Sequence, residues 1–516
     1  MRFKSIAILT LSLFAGIAIG YAIQGEGSEG RSLRFMQSLY DQALRVIQKY
    51  YVDEEDPALL IEESIKGMLK ALDPYSEFMT PEDFENFKTH TSGVYGGVGM
   101  QVMQQDGKVV ITGVFDGSPA QRAGLLPGDI IVKVDGEDVT TWDLNDVVEK
   151  IKGKPGTKVR ITVVRPGVNE LLTFEVVREV IKVPLVPYST ILKGNVGYVR
   201  LSQFSTGAAA QLREKIKELM SRGAKKIVFD LRGNPGGILY EAVQVANLFL
   251  DKGKMIVLVR GRTADSDEYY KAEDEPLVPF DVPVVVLVDY GSASASEIVA
   301  GALQDWDRAI LIGDTTYGKG SVQRLIPLEG NYAIKLTTAR YYTPSGRSID
   351  RTTMTLKERR KKKKKKKEHL VFFTKRLGRK VYSGGGIVPD IVLQYEKEPV
   401  IIQKLIADGL FWSFASQYKT GHKHPPRKIT DSIVNSFIKY VLSSDKAKDH
   451  RYKKEELELY RENLKKYLDI YLHEIFEGTR GRYKAALKYD KMVQEALHFL
   501  EGINSTDKAF EKLEEK

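Results

Sequence analysis

Three serines spaced by alanines, Ser292-Ala293-Ser294-Ala295-Ser296, follow an apolar run and lead into a segment with helical character. The first N–H groups of a helix lack intrahelical acceptors and lie at the positive end of its dipole, so such a junction favours a negative oxygen. A serine placed there suits acyl transfer. Ser294-x-x-Glu297 also spells a capping box, which would give the same residues a purely local role. A serine nucleophile needs a base. None of the seven histidines falls between positions 196 and 340, which argues against a histidine-based triad. Lys319, between Gly318 and Gly320, is the alternative base. A lysine serves only when neutral, which requires desolvation, and a solvated loop lysine is the competing reading. Gly313-x-x-x-x-Gly318-Lys319 has the spacing of a phosphate loop, but Gly320 stands where that loop needs a hydroxyl for magnesium. No metal or nucleotide cofactor is expected. Cysteine is absent, which excludes disulfides, thiolate metal sites and cysteine nucleophiles.

These residues need elements to position them. From residue 196 short apolar runs alternate with helical patterns: strands at 197–201, 226–231, 255–259 and 283–288, helices at 208–221, 239–250 and about 293–304. Doubly apolar strands alternating with helices predict an α/β domain with a covered sheet. Before it, residues 33–51 and 58–72 carry helical stripes and predict two packed helices, ending in the turn Asp73-Pro74-Tyr75-Ser76. Residues from about 90 to 182 are rich in glycine and β-branched side chains, with one helix at 143–152, and predict a compact β module. After residue 398 three further apolar stripes predict a helical domain.

Charge and hydropathy add two local features. The 516 residues hold 78 Lys/Arg and 68 Asp/Glu, a net +10. Fourteen basic and two acidic residues fall between Lys357 and Lys380, so this stretch alone carries +12 and the remainder about −2. The basicity therefore does not mark a nucleic-acid-binding domain. Arg2 and Lys4 precede an uncharged apolar run over residues 5–23, which reads as an export signal or an uncleaved anchor. The expected location is the bacterial cell envelope or periplasm, with the chain anchored in the inner membrane.

Gly291-Ser292-Ala293-Ser294-Ala295-Ser296-Glu297-Ile298, with Tyr317-Gly318-Lys319-Gly320 and Gln323, resembles the carboxyl-terminal processing (tail-specific) proteases. Asp230-Leu231-Arg232-Gly233-Asn234-Pro235-Gly236-Gly237, Leu72-Asp73-Pro74-Tyr75-Ser76 and Gly197-Tyr198-Val199-Arg200-Leu201 extend the resemblance over residues 33–393. It implies a multidomain α/β fold with a crotonase-like protease core. Ser294 would be the nucleophile, Lys319 its base and Gln323 the residue orienting the lysine. The N–H groups of Ala295 and of Gly236 or Gly237 would form the oxyanion hole. Asp305, at the end of the helix after Ser294, reads as a structural residue, with an electrostatic accessory the alternative. Tyr95-Gly96-Gly97-Val98-Gly99-Met100 with Ala123-Gly124-Leu125-Leu126-Pro127-Gly128-Asp129 resembles a PDZ domain. Gly97, Val98, Gly99 and Met100 would then capture the free C-terminus of a protein or peptide substrate.

The implied organisation is a signal or anchor (1–24), an N-terminal helical region (25–90), a PDZ domain (91–182), a Ser/Lys protease core (183–396, with a basic insert at 351–382) and a C-terminal helical domain (397–516). The alternative function is a non-catalytic, membrane-anchored PDZ scaffold. Expected partners are substrates with free C-termini and the membrane. Anionic lipid or an acidic partner is expected at Lys361–Lys367, with its apolar neighbour 370–373 paired as a strand. A homo-oligomer stays open, and no nucleic acid is expected.

Overall fold

The computed structural model describes residues 32–92, 94–105, 107–165, 168–262, 267–351, 370–393, 397–444 and 452–515. Residues 1–24 and the seven lysines of the insert lie outside them. At the N-terminal end, α1 (Leu33–Tyr50) starts where the Ser32 side chain accepts from the Phe35 N–H, and α2 (Pro57–Leu72) starts at an Asp56 cap followed by proline. The Tyr40 and Ser64 hydroxyls meet at 2.7 Å between them. Yet α1 buries none of its side chains, and Leu33, Phe35, Leu39, Val46 and Ile47 are exposed. The two helices meet as expected, but their contact leaves the apolar stripe of α1 exposed among the described residues. The turn after α2 feeds β1 (Glu77–Met79) and α3 (Pro81–Ser92).

The β module comprises β2 (Val94–Gly97), β3 (Met100–Gln105), β4 (Lys108–Val114), α4 (Pro119–Ala123), β5 (Ile130–Val134), β6 (Glu137–Asp138), α5 (Leu144–Ile151), β7 (Lys158–Val164), β8 (Leu172–Val177) and β9 (Glu179–Lys182). Its sheet runs β3-β4-β5-β7-β8, with β6 on β5, while β2 and β9 form a separate ribbon. Alternation places Val159, Ile161 and Val163 of β7 in the core with Ile111, Val134 and Val147. Strand β3 lies at one edge of this sheet and pairs only with β4 among the described residues.

The α/β core contains β10 (Tyr188–Leu192), β11 (Val196–Arg200), α6 (Ala208–Ser221), β12 (Lys226–Asp230), α7 (Leu239–Asn247), β13 (Met255–Gly261), β14 (Glu268–Lys271), β15 (Val284–Val288), α8 (Ala295–Asp305) and β16 (Ile310–Gly313). It continues with β17 (Ser321–Pro327), β18 (Ala333–Tyr342), β19 (Val371–Phe373), β20 (Lys380–Tyr382) and β21 (Ile391–Val392). The main sheet is ordered β10-β11-β12-β15-β16-β21 and is parallel from β11 onward. All five residues of β15 are buried, as a central strand covered on both faces requires. Helices α6, α7 and α8 cover one face. A second sheet, β1-β18-β13-β14 with β17 on β18, joins the N-terminal segment to the core. The run at 371–373 pairs with β20 as an antiparallel hairpin.

The C-terminal helices are α9 (Val400–Ala407), α10 (Leu410–Thr420), α11 (Asp431–Ser443), α12 (Lys454–Leu459), α13 (Arg461–Ala486), α14 (Lys491–Phe499) and α15 (Thr506–Glu514). They do not form one unit. Residues from α9 through most of α13 build their own core, in which the Phe411 and Phe437 rings stack at 4.7 Å. By contrast, Met492, Val493, Phe499 and Phe510 of α14 and α15 pack on Tyr198, Val228, Leu287 and Ile312, closing the second face of the main sheet. A parallel sheet needs cover on both sides, and this end of the chain supplies it.

Candidate active site

Ser294 occupies the junction between β15 and α8, with φ 54° and ψ −110°. A non-glycine residue at positive φ is strained and persists only where its surroundings hold it. The three serines are not equivalent. The Ser292 hydroxyl donates to the Leu231 carbonyl and that of Ser296 to the Asn234 carbonyl, both at 2.8 Å. Those two hydroxyls fasten the junction to the glycine loop that follows β12. The Ser294 side chain instead faces the hydroxyl of Tyr341, a phenol that burial pushes up to about 12.

The glycine loop approaches so closely that a Cβ on Gly236 would lie 2.6 Å from the Ala293 oxygen, and one on Gly237 2.3 Å from the Phe204 oxygen. Its two donors differ. The Gly236 N–H is already donated to Asn234 Oδ1 at 2.9 Å. The N–H groups of Gly237 and Ala295 have no acceptor among the described residues. Of the two glycines considered from sequence, only Gly237 therefore has a free donor. The loop is braced from below. Burial alone would raise the Asp230 carboxyl, but Arg232 and Arg200 hold it down at about 2. Arg232 also pairs with Asp490, the cap of α14, at 2.7 Å.

The fully buried Glu297 carboxylate joins this junction to the lysine loop. Its Oε2 accepts from the Ser294 N–H at 2.8 Å and the Lys319 N–H at 2.9 Å. Its Oε1 accepts from the Gly318 N–H at 2.7 Å and from the Thr316 hydroxyl. Burial pushes the Glu297 carboxyl up, and these hydrogen bonds oppose the shift. Burial also pushes the Lys319 ammonium down, aided by Lys335 and opposed by Glu297 and Asp73.

The side chains expected to form a dyad are not hydrogen-bonded to each other among the described residues. No hydrogen bond joins the Lys319 amine to Ser294 or Gln323 among the described residues; the amine lies 4.9 Å from the centroid of the Tyr75 ring. Gln323 is turned away, its amide donating to Ser321 Oγ at 2.9 Å and Thr337 Oγ1 at 3.2 Å. Backbone hydrogen bonds fix the two loops, but long side chains on them keep rotameric freedom, which accounts for the open arrangement. Asp305 takes the structural of its two readings. At the far end of α8 it pairs with buried Arg347 at 2.8 Å and accepts from the Ser345 N–H at 2.8 Å, bracing the turn before the insert. Sequence reasoning did not name Tyr341; it held Tyr75 and Asn234 only as members of motifs, without a role of their own, and gave Glu297 no role beyond a local cap. The glycine spacing around Lys319 was the one signal that its loop is drawn close to another backbone.

At the β module, Gly99 has φ 78°, and a Cβ there would lie 2.5 Å from that of Ser118. The carbonyls of Val98 and Gly99 accept from Ala120 and Phe115. The N–H groups of both residues have no acceptor among the described residues. They lie at the start of the edge strand β3, with Gly97 and Met100 on either side.

Residues 195–357 match the model of peptidase family S41, residues 110–165 a PDZ domain, and residues 24–83 the activating protease CtpB N-terminal domain. The carboxy-terminal-processing protease of Bartonella bacilliformis is 41% identical over 329 residues, covering 62% of this chain and 75% of that protein. The chain belongs to the carboxy-terminal processing proteases. It is thus a serine-type peptidase with a PDZ domain, combining an α/β peptidase core with helical terminal regions. The carboxy-terminal processing protease CtpA of Bacillus subtilis is 39% identical over 312 residues, covering 60% of this chain and 66% of that one. The solved photosystem II D1 C-terminal processing protease is 27% identical and aligns over 70% of this chain and 94% of its own, with a TM-score of 0.39.

Replacing Glu297 with Gln leaves one side-chain oxygen to serve four donors. Each buried donor left unpaired costs about 1–3 kcal/mol. Glu297→Gln should lower the melting temperature and reduce peptidase kcat at least about 10-fold. Wild-type values for both would mean that the two loops are held by other contacts.

Proposed function

We propose that Ser294 and Lys319 form the catalytic dyad of an endopeptidase that processes or degrades envelope proteins from their C-termini. The observation that carries this reading is the strained Ser294, next to the Ala295 N–H and packed against the glycine loop at Gly236, tied through Glu297 to a desolvated lysine loop. For reaction, the neutral Lys319 amine swings off Tyr75 and takes the Ser294 proton as Oγ attacks the peptide carbonyl. Ala295 and Gly237 N–H groups donate to the oxyanion. The protonated lysine then gives its proton to the leaving amine as the C–N bond breaks. Water then attacks the acyl carbonyl as Lys319 takes its proton, and the lysine passes that proton to Ser294 Oγ as the ester C–O bond breaks. Gln323 turns from Thr337 to orient the amine during these steps.

Substrate selection falls to the PDZ domain. A free carboxylate docks on the N–H groups of Val98 and Gly99, and the adjoining chain adds to β3 from Met100 onward. Residues 1–24 hold the enzyme in the inner membrane with its body on the periplasmic side. The insert contacts anionic lipid. In support, Val371, Phe373 and Tyr382 share one exposed face of the hairpin that follows the lysines.

Ser294→Ala and Lys319→Ala should each abolish cleavage of an unstructured peptide while circular dichroism stays native; a folded Ser294→Ala enzyme that still cleaves contradicts the assignment. Because the free amine is the competent base and its pKa is lowered, kcat/KM should rise with pH through an apparent value below the usual ~10.4 of lysine. A peptide with an amidated C-terminus should show a kcat/KM reduced about 10-fold or more relative to the free acid, since charge-assisted hydrogen bonds are worth about 1.5–3 kcal/mol each. Equal values would remove the PDZ domain from selection. Replacing Lys361–Lys367 with Ser should weaken salt-sensitive co-sedimentation with anionic vesicles and spare peptidase activity. Unchanged sedimentation would free the insert from any lipid role.

A further inference from the structure

One motif has no part in the chemistry above: Asp73-Pro74-Tyr75-Ser76, the turn between α2 and β1. It is built rigidly. Asp73 Oδ1 accepts from the N–H groups of Tyr75 and Ser76, both at 2.8 Å, and Oδ2 accepts from the Ser76 hydroxyl at 2.7 Å. The turn is also fastened to the core. Thr337 of β18 donates its N–H to Ser76 Oγ at 3.1 Å and its hydroxyl to Asp73 Oδ1 at 3.1 Å. The same Thr337 oxygen receives the Gln323 amide, so the turn and Gln323 share one hydrogen-bond chain. Immediately afterwards β1 pairs with β18, Glu77 opposite Lys335.

What this scaffold presents to the site is the Tyr75 ring. The Lys319 amine lies 4.9 Å from the ring centroid, and the Tyr75 hydroxyl faces that of Tyr317, two residues before the lysine. Tyr75 therefore touches the lysine loop at two points from a part of the chain about 240 residues away. We propose that Tyr75 is a positioning residue for the general base, covering the Lys319 amine against water, so that the N-terminal segment completes the catalytic centre. This rests on the reading of Lys319 as the base.

The ring acts on the amine in two opposed ways. It excludes water, which favours the neutral form, and its face attracts the cation, which favours the charged one. The charged groups facing Lys319 are the carboxylates of Glu297 and Asp73 and the ammonium of Lys335. Tyr75 is itself faced by Tyr317, Asp350 and Glu297. The two carboxylates favour a protonated lysine, yet the net displacement is downward, with burial the largest cause. Burial is thus the larger influence among the charges and cover around the amine, and the Tyr75 ring is part of that cover.

The test is the pH profile of kcat/KM for the full chain on a fluorogenic peptide with a free C-terminus, for Tyr75→Ala, Tyr75→Gln and Tyr75→Phe. Tyr75→Ala admits water, and Tyr75→Gln keeps bulk but solvates the amine. Both should move the rising limb up by about one pH unit, with most of the lost activity regained at high pH. Tyr75→Phe keeps the cover and should leave the limb in place. Tyr75→Gln serves where Tyr75→Ala melts below the assay temperature. A uniform loss with an unmoved limb in Tyr75→Ala and Tyr75→Gln would reduce Tyr75 to a packing residue and overturn the proposal. So would a limb that moves down. Lys319→Ala run in parallel separates the two levels: retained cleavage would sink the base assignment itself, whereas loss of cleavage with an unmoved Tyr75→Gln limb would sink only the role of Tyr75.

Discussion

The Glu297 carboxylate is the contact on which the site depends. Ser294 sits in a backbone conformation it would not keep alone, and Lys319 sits in a loop bounded by glycines. One buried side chain accepts a hydrogen bond from the N–H of each, together with the N–H of Gly318 and the hydroxyl of Thr316. A carboxylate can do this because it offers two acceptor oxygens and no donor. Burial makes the arrangement costly if any donor is lost, so the two loops move as one body. The side chains of Ser294 and Lys319 remain free to meet or part within that fixed frame.

The rest of the chain supports this frame from three directions. The N-terminal segment reaches it through β1 and the turn at 73–76. The glycine loop reaches it through Asn234, whose backbone oxygen accepts from the Ala293 N–H and the Ser296 hydroxyl while its side chain holds Gly236. The C-terminal helices reach it through Asp490, which grips Arg232 under the glycine loop. The last two helices are thus part of the peptidase core. The helices before them form a separate core beside the β module, where Trp412 lies within van der Waals reach of a Cβ at Gly128.

What was legible in the sequence follows from how local each signal is. The helix over Ala208–Ser221 and the strand over Val284–Val288 stand where periodicity puts them, because each buries a continuous face. The serine cluster and the Gly-Lys-Gly loop were legible because tight turns and helix starts restrict residue type over a few positions. The hidden parts are pairings across long stretches of chain. Glu297 read as a cap on its own helix, and nothing local announced Lys319 22 residues away as a second partner. Asp490 and Arg232 are 258 residues apart. Tyr75 looked like a turn residue because its ring acts on a loop that topology alone brings near. For α1, an amphipathic stripe showed a helix but could not show whether a partner surface faced it.

The most direct test of the central claim is a crystal structure of the enzyme inactivated by a peptidyl phosphonate. The account predicts phosphorus bonded to Ser294 Oγ and the phosphoryl oxygen on the N–H groups of Ala295 and Gly237. It also predicts Glu297 still holding both loops, with the Lys319 amine withdrawn from Tyr75 to hydrogen-bonding distance of Ser294. Label on another residue, or Lys319 still stacked on Tyr75 in the covalent complex, would contradict it.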